Sequence, residues 1–543
     1  MNTFTILDWV VIGLYFTVIL GIAWWVIKQK QESTEDYFLA GRHAGWFVIG
    51  ASIFASNIGS EHIVGLAGTA AETGVVMGQY ELHSYIALIL GWVFIPFYMR
   101  SRVFTMPEFL EKRYSSSTRW FLSVISLIAY VFTKISVTVY AGAVVFETLM
   151  GVEFWTGALI VIILTGIYTV LGGLRAVIYT ETIQAGVLIL GSVTISIMGL
   201  IQIGGWENLV ATAGSSHFNL FLPLSDPDFP WLGMVLASPI VGIWYWCTDQ
   251  YIVQRVLAGR DEQQARRGTI FAAYLKLLPF FIFIIPGIIA YALLQSGQLH
   301  YASSDQAFPT LVKTLLPTGF RGLIAGGLLA ALMSSLAAVF NSSSTLFTID
   351  IYKKLKPETS EKKLVFIGRI ATGVLVVLGI MWIPVMQMIS GQLYHYLQSV
   401  QSYIAPPIAA VFLLGIFWKR INAKGAITAL VGGFLVGMFR LVMEVFKEDL
   451  SPGSLLYHFA DVNFLYFAVY LFIFSIILLV GVSYATAIPD YNKISGLTYG
   501  TTVLIDREKS RKSWNNKDLV LSIIVLVIIA AIMIYFSPIG IAS

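Results

Sequence analysis

The sequence FASNIGSEHIVGLAGTAA, residues 54–71, places a cluster of polar residues in the middle of an otherwise apolar run. Polar and ionisable side chains at membrane depth are costly unless they face a cavity inside the protein. Because apolar residues resume after the cluster, the pattern predicts a membrane helix over 44–66 that is broken near its middle. The alternative is a helix that ends at Asn57 and leaves Glu61 and His62 in an outer loop.

A second apolar run, residues 229–252, is interrupted in a similar way. Pro239 and Gly242 precede the polar and aromatic stretch WYWCTDQ, residues 244–250. Two interrupted helices in corresponding positions are typical of transporters built from inverted repeats, with the binding site near the membrane midplane. The sequence therefore predicts one membrane domain with four parts: an extra N-terminal helix and linker (1–43), a first inverted repeat of five helices (44–203), a second such repeat (229–418) and peripheral C-terminal helices (425–543).

The composition of the 543-residue chain is that of a polytopic membrane protein. Hydrophobic residues make up 57% of the chain and charged residues only 12%, which excludes a large soluble enzyme. A helix needs about 20 apolar residues to cross a bilayer. We expect an all-α fold with about fourteen spans, at roughly 7–27, 44–66, 77–98, 119–149, 155–171, 179–203, 229–252, 268–295, 319–349, 364–388, 395–418, 425–445, 463–487 and 517–537.

The distribution of positive charge predicts the orientation of these spans. With the N-terminus outside, 28 of the 34 lysine and arginine residues fall in or beside cytoplasmic loops, and only four lie toward the opposite side. Two more, Lys134 and Lys276, fall inside spans. We therefore expect a multi-pass protein of the plasma (cell inner) membrane with both termini outside the cytoplasm. The net charge of +4 reflects this orientation and does not indicate nucleic-acid binding.

Several functional classes lack their sequence signatures. There is no GxxxxGK[ST] loop, which argues against an ATP-driven pump. The single cysteine, Cys247, and the seven scattered histidines exclude a disulfide framework and a cysteine or histidine metal centre. The N-terminal sequence MNTFTILD has no basic region, so we expect no cleavable signal peptide. The functional classes that remain are a passive or ion-coupled transporter, a channel and a membrane-embedded sensor. None of them is an enzyme.

The predicted ninth span contains a third polar patch, LLAALMSSLAAVFNSSSTLFTIDIY, residues 328–352. The hydroxyls of Ser334 and Ser335 are hard neutral oxygens that suit a dehydrated sodium ion. Small residues such as serine and alanine also allow helices to approach closely and to hydrogen-bond across the contact. From spacing alone, helix packing is favoured over an ion site.

Six motifs in order resemble the sodium/solute symporter family, and within it the sodium/glucose cotransporters. They are FASNIGSEHIVGLAGTAA (54–71), GGLRAVIYTETIQ (172–184), WYWCTDQYIVQR (244–255), YLKLLPFF (274–281), the predicted ninth span, and GQLYHYLQSVQSYIAPPIAAVFLLGIFWKR (391–420). The likeness extends from YFLAGRH at residues 37–43 to about residue 420 and continues more weakly to the end. The resemblance implies fourteen helices and a LeuT-type inverted five-helix repeat.

The resemblance also implies two binding sites, and it favours an ion site over simple packing in the ninth span. The implied sodium site consists of the backbone carbonyls of Ala55, Ile58 and Ala331 and the hydroxyls of Ser334 and Ser335. The implied sugar site consists of Asn57, His62, Glu81, Lys276 and Gln398, with Tyr245 and Trp246 against the ring.

The side chains of the implied sugar site match the chemistry of a pyranose. Its hydroxyls need both donors and acceptors, and its CH faces stack on aromatic rings. Glu81 and Lys276 would also compensate one another's charge. Three plainer interpretations remain open: Lys276 extends to the cytoplasmic interface, Glu81 caps the outer end of its helix, and His62 is a hydrogen-bonded helix residue. For Lys134 we expect structural pairing.

Departures from the family pattern bear on stoichiometry. Glu181 stands where many members carry aspartate, and Glu61 stands where animal relatives carry glycine. Ala337 and Ala338 stand where members that move two sodium ions carry threonine and serine. Because alanine offers no side-chain oxygen, we expect one sodium per sugar.

The predicted function is sodium-coupled import of a hexose, glucose or galactose, by alternating access. Sodium is the co-transported ion, and the expected partners are a small-molecule sugar and the lipid bilayer, without nucleic acid or an obligatory protein partner. The alternatives are a sodium symporter for a polyol, amino acid or carboxylate, and a nontransporting sugar sensor or channel.

Overall fold

The computed structural model of the protein describes residues 4–27, 39–59, 61–389 and 392–542. Within these ranges the chain forms helices and no strand, and Ala44 and Gly259 make an isolated parallel bridge. The predicted all-α fold is confirmed for these residues. Most of the predicted linker after the first helix, residues 28–38, lies outside the described ranges.

The helices up to the middle of the chain differ greatly in length. They are α1 (Ile6–Ile27), α2 (Trp46–Asn57), α3 (Ala67–Thr73), α4 (Gly78–Glu81), α5 (Ser84–Ile89), α6 (Ile95–Ser101), α7 (Met106–Arg113), α8 (Ser116–Tyr130), α9 (Ser136–Met150), α10 (Phe154–Ile203) and α11 (Trp206–Ala213).

The remaining helices complete the bundle. They are α12 (Trp231–Ile243), α13 (Gln250–Leu257), α14 (Glu262–Leu275), α15 (Ile285–Gln295), α16 (Ala307–Leu315), α17 (Phe320–Thr345), α18 (Lys353–Leu355), α19 (Glu361–Ile389), α20 (Leu393–Phe417), α21 (Ala423–Val445), α22 (Leu455–Asp461), α23 (Phe464–Ala485), α24 (Leu504–Lys512) and α25 (Asn516–Tyr535).

Wider π-helical turns join several of these helices. They are Glu61–Leu66, Leu90–Phe94, Val131–Ile135, Trp244–Thr248, Phe280–Ile284 and Leu346–Tyr352. Such turns are rare in proteins and are frequent at functional sites. Two of them, Glu61–Leu66 and Trp244–Thr248, adjoin the interruptions expected from the sequence.

The described residues include eleven helices that are long and apolar enough to cross a membrane, together with three shorter apolar helices. A polytopic protein is therefore confirmed, whereas the count of fourteen spans remains a prediction. The predicted boundary between the fifth and sixth spans, at 172–178, falls within α10, where the side chains are outside the described residues.

The first predicted interruption is confirmed. Helix α2 ends at Asn57 because Ile58 adopts extended backbone angles, φ −85° and ψ 91°. Helical structure resumes in the turn Glu61–Leu66, where His62 is only 3% exposed. The alternative of an outer loop at Glu61 and His62 is therefore wrong.

The second predicted interruption is also confirmed. Asp249 is extended, with φ −76° and ψ 127°, between the turn Trp244–Thr248 and α13. The Asp249 carboxylate accepts a hydrogen bond from the Tyr251 amide at 3.1 Å and so caps α13. The expected two-fold relation between the two interrupted helices remains a prediction.

Close packing fixes the first interrupted helix in the bundle. A methyl group on Gly50 of α2 would lie 2.7 Å from the carbonyl oxygen of Gly268 in α14, so these helices approach closely only because both residues lack side chains. Elsewhere in the bundle, Asp8 of α1 accepts hydrogen bonds from the Gly319 amide at 2.8 Å and from Arg321 at 2.7 Å. These bonds attach the extra N-terminal helix to the start of α17.

Candidate solute and cation sites

A cavity of about 50 Å³ lies between the two interrupted helices. Six of the seven side chains predicted for the sugar site line the cavity. They are Asn57, His62, Tyr245, Trp246, Lys276 and Gln398.

The seventh predicted side chain, Glu81, is fully buried and lies behind the cavity wall. Its Oε2 is 2.7 Å from Lys276 Nζ, and its Oε1 lies 3.3 Å from His62 Nε2. The Tyr394 hydroxyl donates to Oε1 at 3.2 Å. The expected pairing of Glu81 with Lys276 is therefore confirmed.

Burial rules out two of the plainer interpretations. Lys276 is 4% exposed and Glu81 is 0% exposed. The prediction that Lys276 extends to the cytoplasmic interface is wrong, because its ammonium is held by Glu81. The prediction that Glu81 caps a helix near an aqueous vestibule is wrong for the same reason.

Several buried polar atoms around the cavity make no hydrogen bond to the described residues. They are Asn57 Oδ1, His62 Nδ1, Tyr80 Oη, His83 Nε2 and Gln398 Oε1. Buried polar atoms in folded proteins are nearly always hydrogen-bonded to protein or water. The residues that line the cavity therefore carry amide oxygens and ring nitrogens whose hydrogen-bonding capacity is unused within the described residues.

Aromatic rings form one side of the cavity. Asn57 donates its Nδ2 to the Tyr245 hydroxyl at 3.1 Å, which joins the first interrupted helix to the second. Lys134 Nζ lies 4.3 Å from the centre of the Tyr245 ring and 3.4 Å from Asp249 Oδ2. The pairing expected for Lys134 is therefore confirmed, and Lys134 also lines the cavity. Trp246 is 2% exposed beside Lys276.

Three of the five residues predicted for sodium border a second, smaller void. Ala55, Ile58 and Ala331 line this void of about 10 Å³ together with Phe54, Gln184, Ala185 and Leu188, whereas Ser334 and Ser335 do not line it. This volume is about what a single water molecule requires. Three segments therefore meet at this void: the first helix break, helix α10 and helix α17.

Ser334 and Ser335 are buried in α17, and their hydroxyls make no hydrogen bond to the described residues. Ser335 also lines the large cavity. A methyl group on Gly59 would lie 2.7 Å from Ser335 Oγ, so glycine permits the break to approach α17.

Glu181, which stands where many members of the resembled family carry aspartate, is enclosed by donors. Ser52 donates to its Oε2 at 2.7 Å, and Ser56 donates to its Oε1 at 2.8 Å. The Arg255 guanidinium donates to Oε1 at 2.9 Å, and both charged side chains are 0% exposed. The carboxylate charge is thus compensated inside the protein.

The described residues contain no group of three or more histidine, cysteine, aspartate or glutamate side chains that could hold a metal ion. Cys247 is a buried free thiol.

Further cavity residues, among them four that are polar and aromatic or amide-bearing, were missed in the sequence. These four are Tyr80, His83, Tyr394 and Gln401. Tyr80 and His83 flank Glu81, and the other two lie in the motif at 391–420, so their position beside predicted residues was the available signal.

Comparisons with known proteins agree with this arrangement. The family model described as "Sodium:solute symporter family" matches residues 37–433. The chain is 40% identical to "Sodium/glucose cotransporter 1" of Oryctolagus cuniculus over 523 residues, covering 88% of this chain and 79% of the relative. It is also 40% identical to "Sodium/myo-inositol cotransporter 2" of Homo sapiens over 532 residues, covering 91% and 79%.

Solved structures show the same fold at low sequence identity. A Na+-coupled sialic acid symporter in a substrate-bound outward-open state matches with a TM-score of 0.74 at 23% identity, covering 90% of this chain and 99% of that one. Mhp1, a nucleobase-cation-symport-1 family transporter, matches with a TM-score of 0.52 at 13% identity, covering 85% and 97%. The resemblance inferred from the motifs is confirmed: the chain belongs to the sodium:solute symporter family, a family of multi-pass membrane proteins that couple solute transport to sodium.

Proposed function

We propose that this protein imports a hexose, glucose or galactose, together with one sodium ion by alternating access. The observation that carries the proposal is the pair of buried amide oxygens, Asn57 Oδ1 and Gln398 Oε1, which have no hydrogen-bond partner among the described residues and belong to residues that line one cavity. These atoms accept hydrogen bonds from sugar hydroxyls. Trp246 and Tyr245 offer apolar faces to the ring.

Lys276 supplies the complementary donor. Its ammonium has three N–H bonds, and one points to Glu81 at 2.7 Å. His62 Nε2 lies 3.4 Å from the same nitrogen. At least one N–H therefore remains for a sugar hydroxyl. Because Glu81 compensates the ammonium charge, the site favours a neutral solute over a carboxylate.

Sodium is proposed to bind where the first break meets α17. Carbonyl oxygens of Ala55, Ile58 and Ala331 and the hydroxyls of Ser334 and Ser335 provide five hard oxygens. Ser335 also lines the large cavity, so a bound ion steadies the wall that receives the sugar. Coupling of this kind is reciprocal, and sugar tightens sodium binding by the same factor.

The proposed direction is import, in the predicted orientation with both termini outside. The two inverted repeats rock about the site and expose it to each side in turn. Tyr245 covers the sugar on the cytoplasmic side, held by Asn57 at 3.1 Å. It leaves when the inward form opens.

The free energy released by one sodium ion is sufficient to drive sugar accumulation. A sodium ion that moves down about 100 mV gains about 2.3 kcal/mol. A tenfold sodium gradient adds about 1.4 kcal/mol. Together these terms support sugar accumulation of several hundredfold, because each 1.4 kcal/mol corresponds to about a factor of ten.

The names of the relatives support a sugar or a cyclic polyol as the transported solute. One relative is a sodium/glucose cotransporter and another a sodium/myo-inositol cotransporter, both at 40% identity. The second candidate is therefore myo-inositol, which has the same hydroxyl chemistry without a ring oxygen.

Uptake by purified protein in proteoliposomes tests the proposal. Radiolabelled glucose, galactose and myo-inositol are offered with an inward gradient of sodium or of choline. We expect sodium-dependent accumulation of at least one hexose and a weaker response to myo-inositol. Accumulation of myo-inositol alone would make it the substrate, and equal uptake in choline would refute sodium coupling.

A further inference from the structure

We propose that α24, the helix Leu504–Lys512, binds anionic phospholipid headgroups at the predicted cytoplasmic surface of the membrane. The inference goes beyond the proposed transport function and does not depend on which solute is carried. Helix α24 lies in the connection between two candidate membrane spans, since α23 ends at Ala485 and α25 begins at Asn516. Only residues 513–515 separate α24 from the second of these spans, so the end of α24 lies close to the start of α25.

Two contacts hold α24 against the ends of two other candidate spans. Near the start of the helix, Asp506 Oδ2 lies 3.6 Å from Arg100 Nε. Near its end, the Ser510 hydroxyl donates to Glu262 Oε1 at 2.6 Å. Arg100 is one residue from the end of one candidate span, and Glu262 is the first residue of another. Because the ends of spans mark the membrane surface, α24 lies along that surface.

Large apolar side chains of α24 lie on its exposed side. Asp506 and Ser510 are one helical turn apart and both contact the bundle, so they define the inner face of the helix. Leu504 and Ile505 are 75% and 66% exposed. In an interfacial helix, apolar residues of this kind are buried at the boundary between headgroups and acyl chains. The lipid at this surface is therefore what covers Leu504 and Ile505.

Basic side chains dominate the rest of the exposed surface of α24. They are Arg507, Lys509, Arg511 and Lys512. Among the described residues of this helix, Glu508 is the one exposed acidic residue. The Arg511 guanidinium also lies 3.9 Å from the centre of the Trp514 ring, and tryptophan is enriched at membrane–water interfaces. Since lysine and arginine on an interfacial helix attract the anionic lipids of the cytoplasmic leaflet, the charge of α24 is complementary to a phosphate-bearing headgroup.

An anionic lipid fits this surface better than a soluble acidic partner. The apolar and basic side chains belong to one short helix, and a lipid has both acyl chains and a charged headgroup. The surface is also continuous with the membrane-spanning helix α25, whose Leu519 and Val520 are 43% and 52% exposed. The lipids around the start of α25 are therefore within reach of the basic side chains of α24.

A fluorescent label on α24 tests the inference in the full-length protein. Cys247 is the single cysteine of the chain and is buried, so a cysteine introduced by Ile505→Cys is labelled selectively. The labelled protein is placed in phosphatidylcholine nanodiscs that contain a small fraction of nitroxide-labelled phosphatidylglycerol. A parallel sample contains nitroxide-labelled phosphatidylcholine instead. The readout is the quenching of the fluorescent label by each lipid.

Two matched controls accompany this measurement. Leu455→Cys places the label at another apolar residue, 89% exposed, at the start of α22. The second control concerns charge and compares two triple variants of the protein that carries the Ile505→Cys label. The test variant removes three exposed positive charges from α24, and the control variant removes three from another predicted cytoplasmic connection. The substitutions are Lys509→Gln, Arg511→Gln and Lys512→Gln in the first, and Lys356→Gln, Lys362→Gln and Lys363→Gln in the second.

We expect phosphatidylglycerol to quench the Ile505→Cys label about twofold more than phosphatidylcholine does, because basic side chains concentrate anionic lipid around the helix. The triple variant of α24 should abolish this preference, whereas the triple variant elsewhere should retain it. The Leu455→Cys label should show no preference between the two lipids. High salt should weaken the preference at α24, since it screens exposed charges.

Either of two results would overturn the inference. An absence of quenching by both lipids would show that α24 lies away from the membrane, and equal quenching by both would show that it does not select anionic headgroups. If Ile505→Cys does not label, Leu504→Cys replaces it at the more exposed neighbouring position. The measurement does not require transport, so its failure and the failure of the proposed function are distinguishable.

Discussion

Two buried ion pairs in this molecule have similar chemistry and different surroundings. Lys276 and Glu81 are 2.7 Å apart, and Arg255 and Glu181 are 2.9 Å apart. Lys276 lines the large cavity, whereas neither member of the second pair does. The Glu181 carboxylate is bonded to Ser52 and Ser56 as well, so its oxygens face only protein donors.

The comparison separates a pair that we propose serves a ligand from a pair that serves the fold. A buried ion pair is weak evidence for stability, because the desolvation of both charges offsets much of their attraction. The first pair presents an ammonium to the cavity and keeps it oriented. The second joins α2, α10 and α13 and leaves no charge for a ligand.

The largest effect is expected for Lys276→Ala. The change removes the donor and leaves the Glu81 carboxylate buried without its cation, which costs about 3–5 kcal/mol. Sugar kcat/KM should fall at least 100-fold in proteoliposome uptake. The control is Lys447→Ala, which breaks only an exposed pair with Asp461 and should leave uptake unchanged. Wild-type sugar affinity in Lys276→Ala would place the sugar site elsewhere.

Replacing whole pairs should separate their roles. The double variant Glu181→Gln with Arg255→Met keeps an acceptor for the serines and should retain uptake within about threefold, because a neutral pair of similar volume replaces both charges. Arg255→Ala alone should destabilise the protein by about 3–5 kcal/mol. Thermal unfolding in detergent measures this difference.

The matching double variant at the first pair, Glu81→Gln with Lys276→Met, should remain inactive even when it folds, because the ammonium donor is missing. Recovery of uptake in this variant would show that both ion pairs have only structural roles. Loss of uptake in a stable protein that carries Glu181→Gln and Arg255→Met would show that the second ion pair takes part in transport.

A smaller effect is expected for Gln398→Leu. The change removes one unpaired amide oxygen from the cavity wall without disturbing either ion pair. A lost polar contact costs about 1–3 kcal/mol, so the sugar KM should rise about tenfold. Sodium dependence at saturating sugar should stay unchanged, and a shift in sodium dependence alone would contradict a contact with sugar.

The smallest effect is expected for Ala337→Thr with Ala338→Ser. These buried positions of α17 gain two hydroxyls, but Glu181 remains occupied by Ser52, Ser56 and Arg255. The sodium Hill coefficient for uptake should therefore stay near one. A coefficient that rises toward two would show that the missing hydroxyls alone exclude a second ion.

The sequence predicted the two helix breaks well because polar residues at membrane depth are costly and therefore informative. Asn57 and Asp249 both lie at real interruptions. It predicted the Glu81–Lys276 pair for the same reason, since each buried charge requires a partner.

Other features depend on three-dimensional contacts that no local pattern records. Arg255 falls in a basic cytoplasmic loop by position, yet it is buried against Glu181. Gln184 is a single glutamine in an apolar helix, and only the structure shows that it lies beside Ala55 and Ala331. Tyr394 is far from Glu81 in sequence but donates to it at 3.2 Å.

The most direct test of the account is a paired flux measurement on the wild-type protein. Labelled sodium and labelled hexose are followed together in proteoliposomes, and the reversal potential is measured against imposed gradients of both. The account predicts a ratio near one sodium per sugar and a reversal potential that shifts with either gradient. A ratio near two would contradict the single-ion site, and sugar flux that is independent of sodium would contradict symport itself.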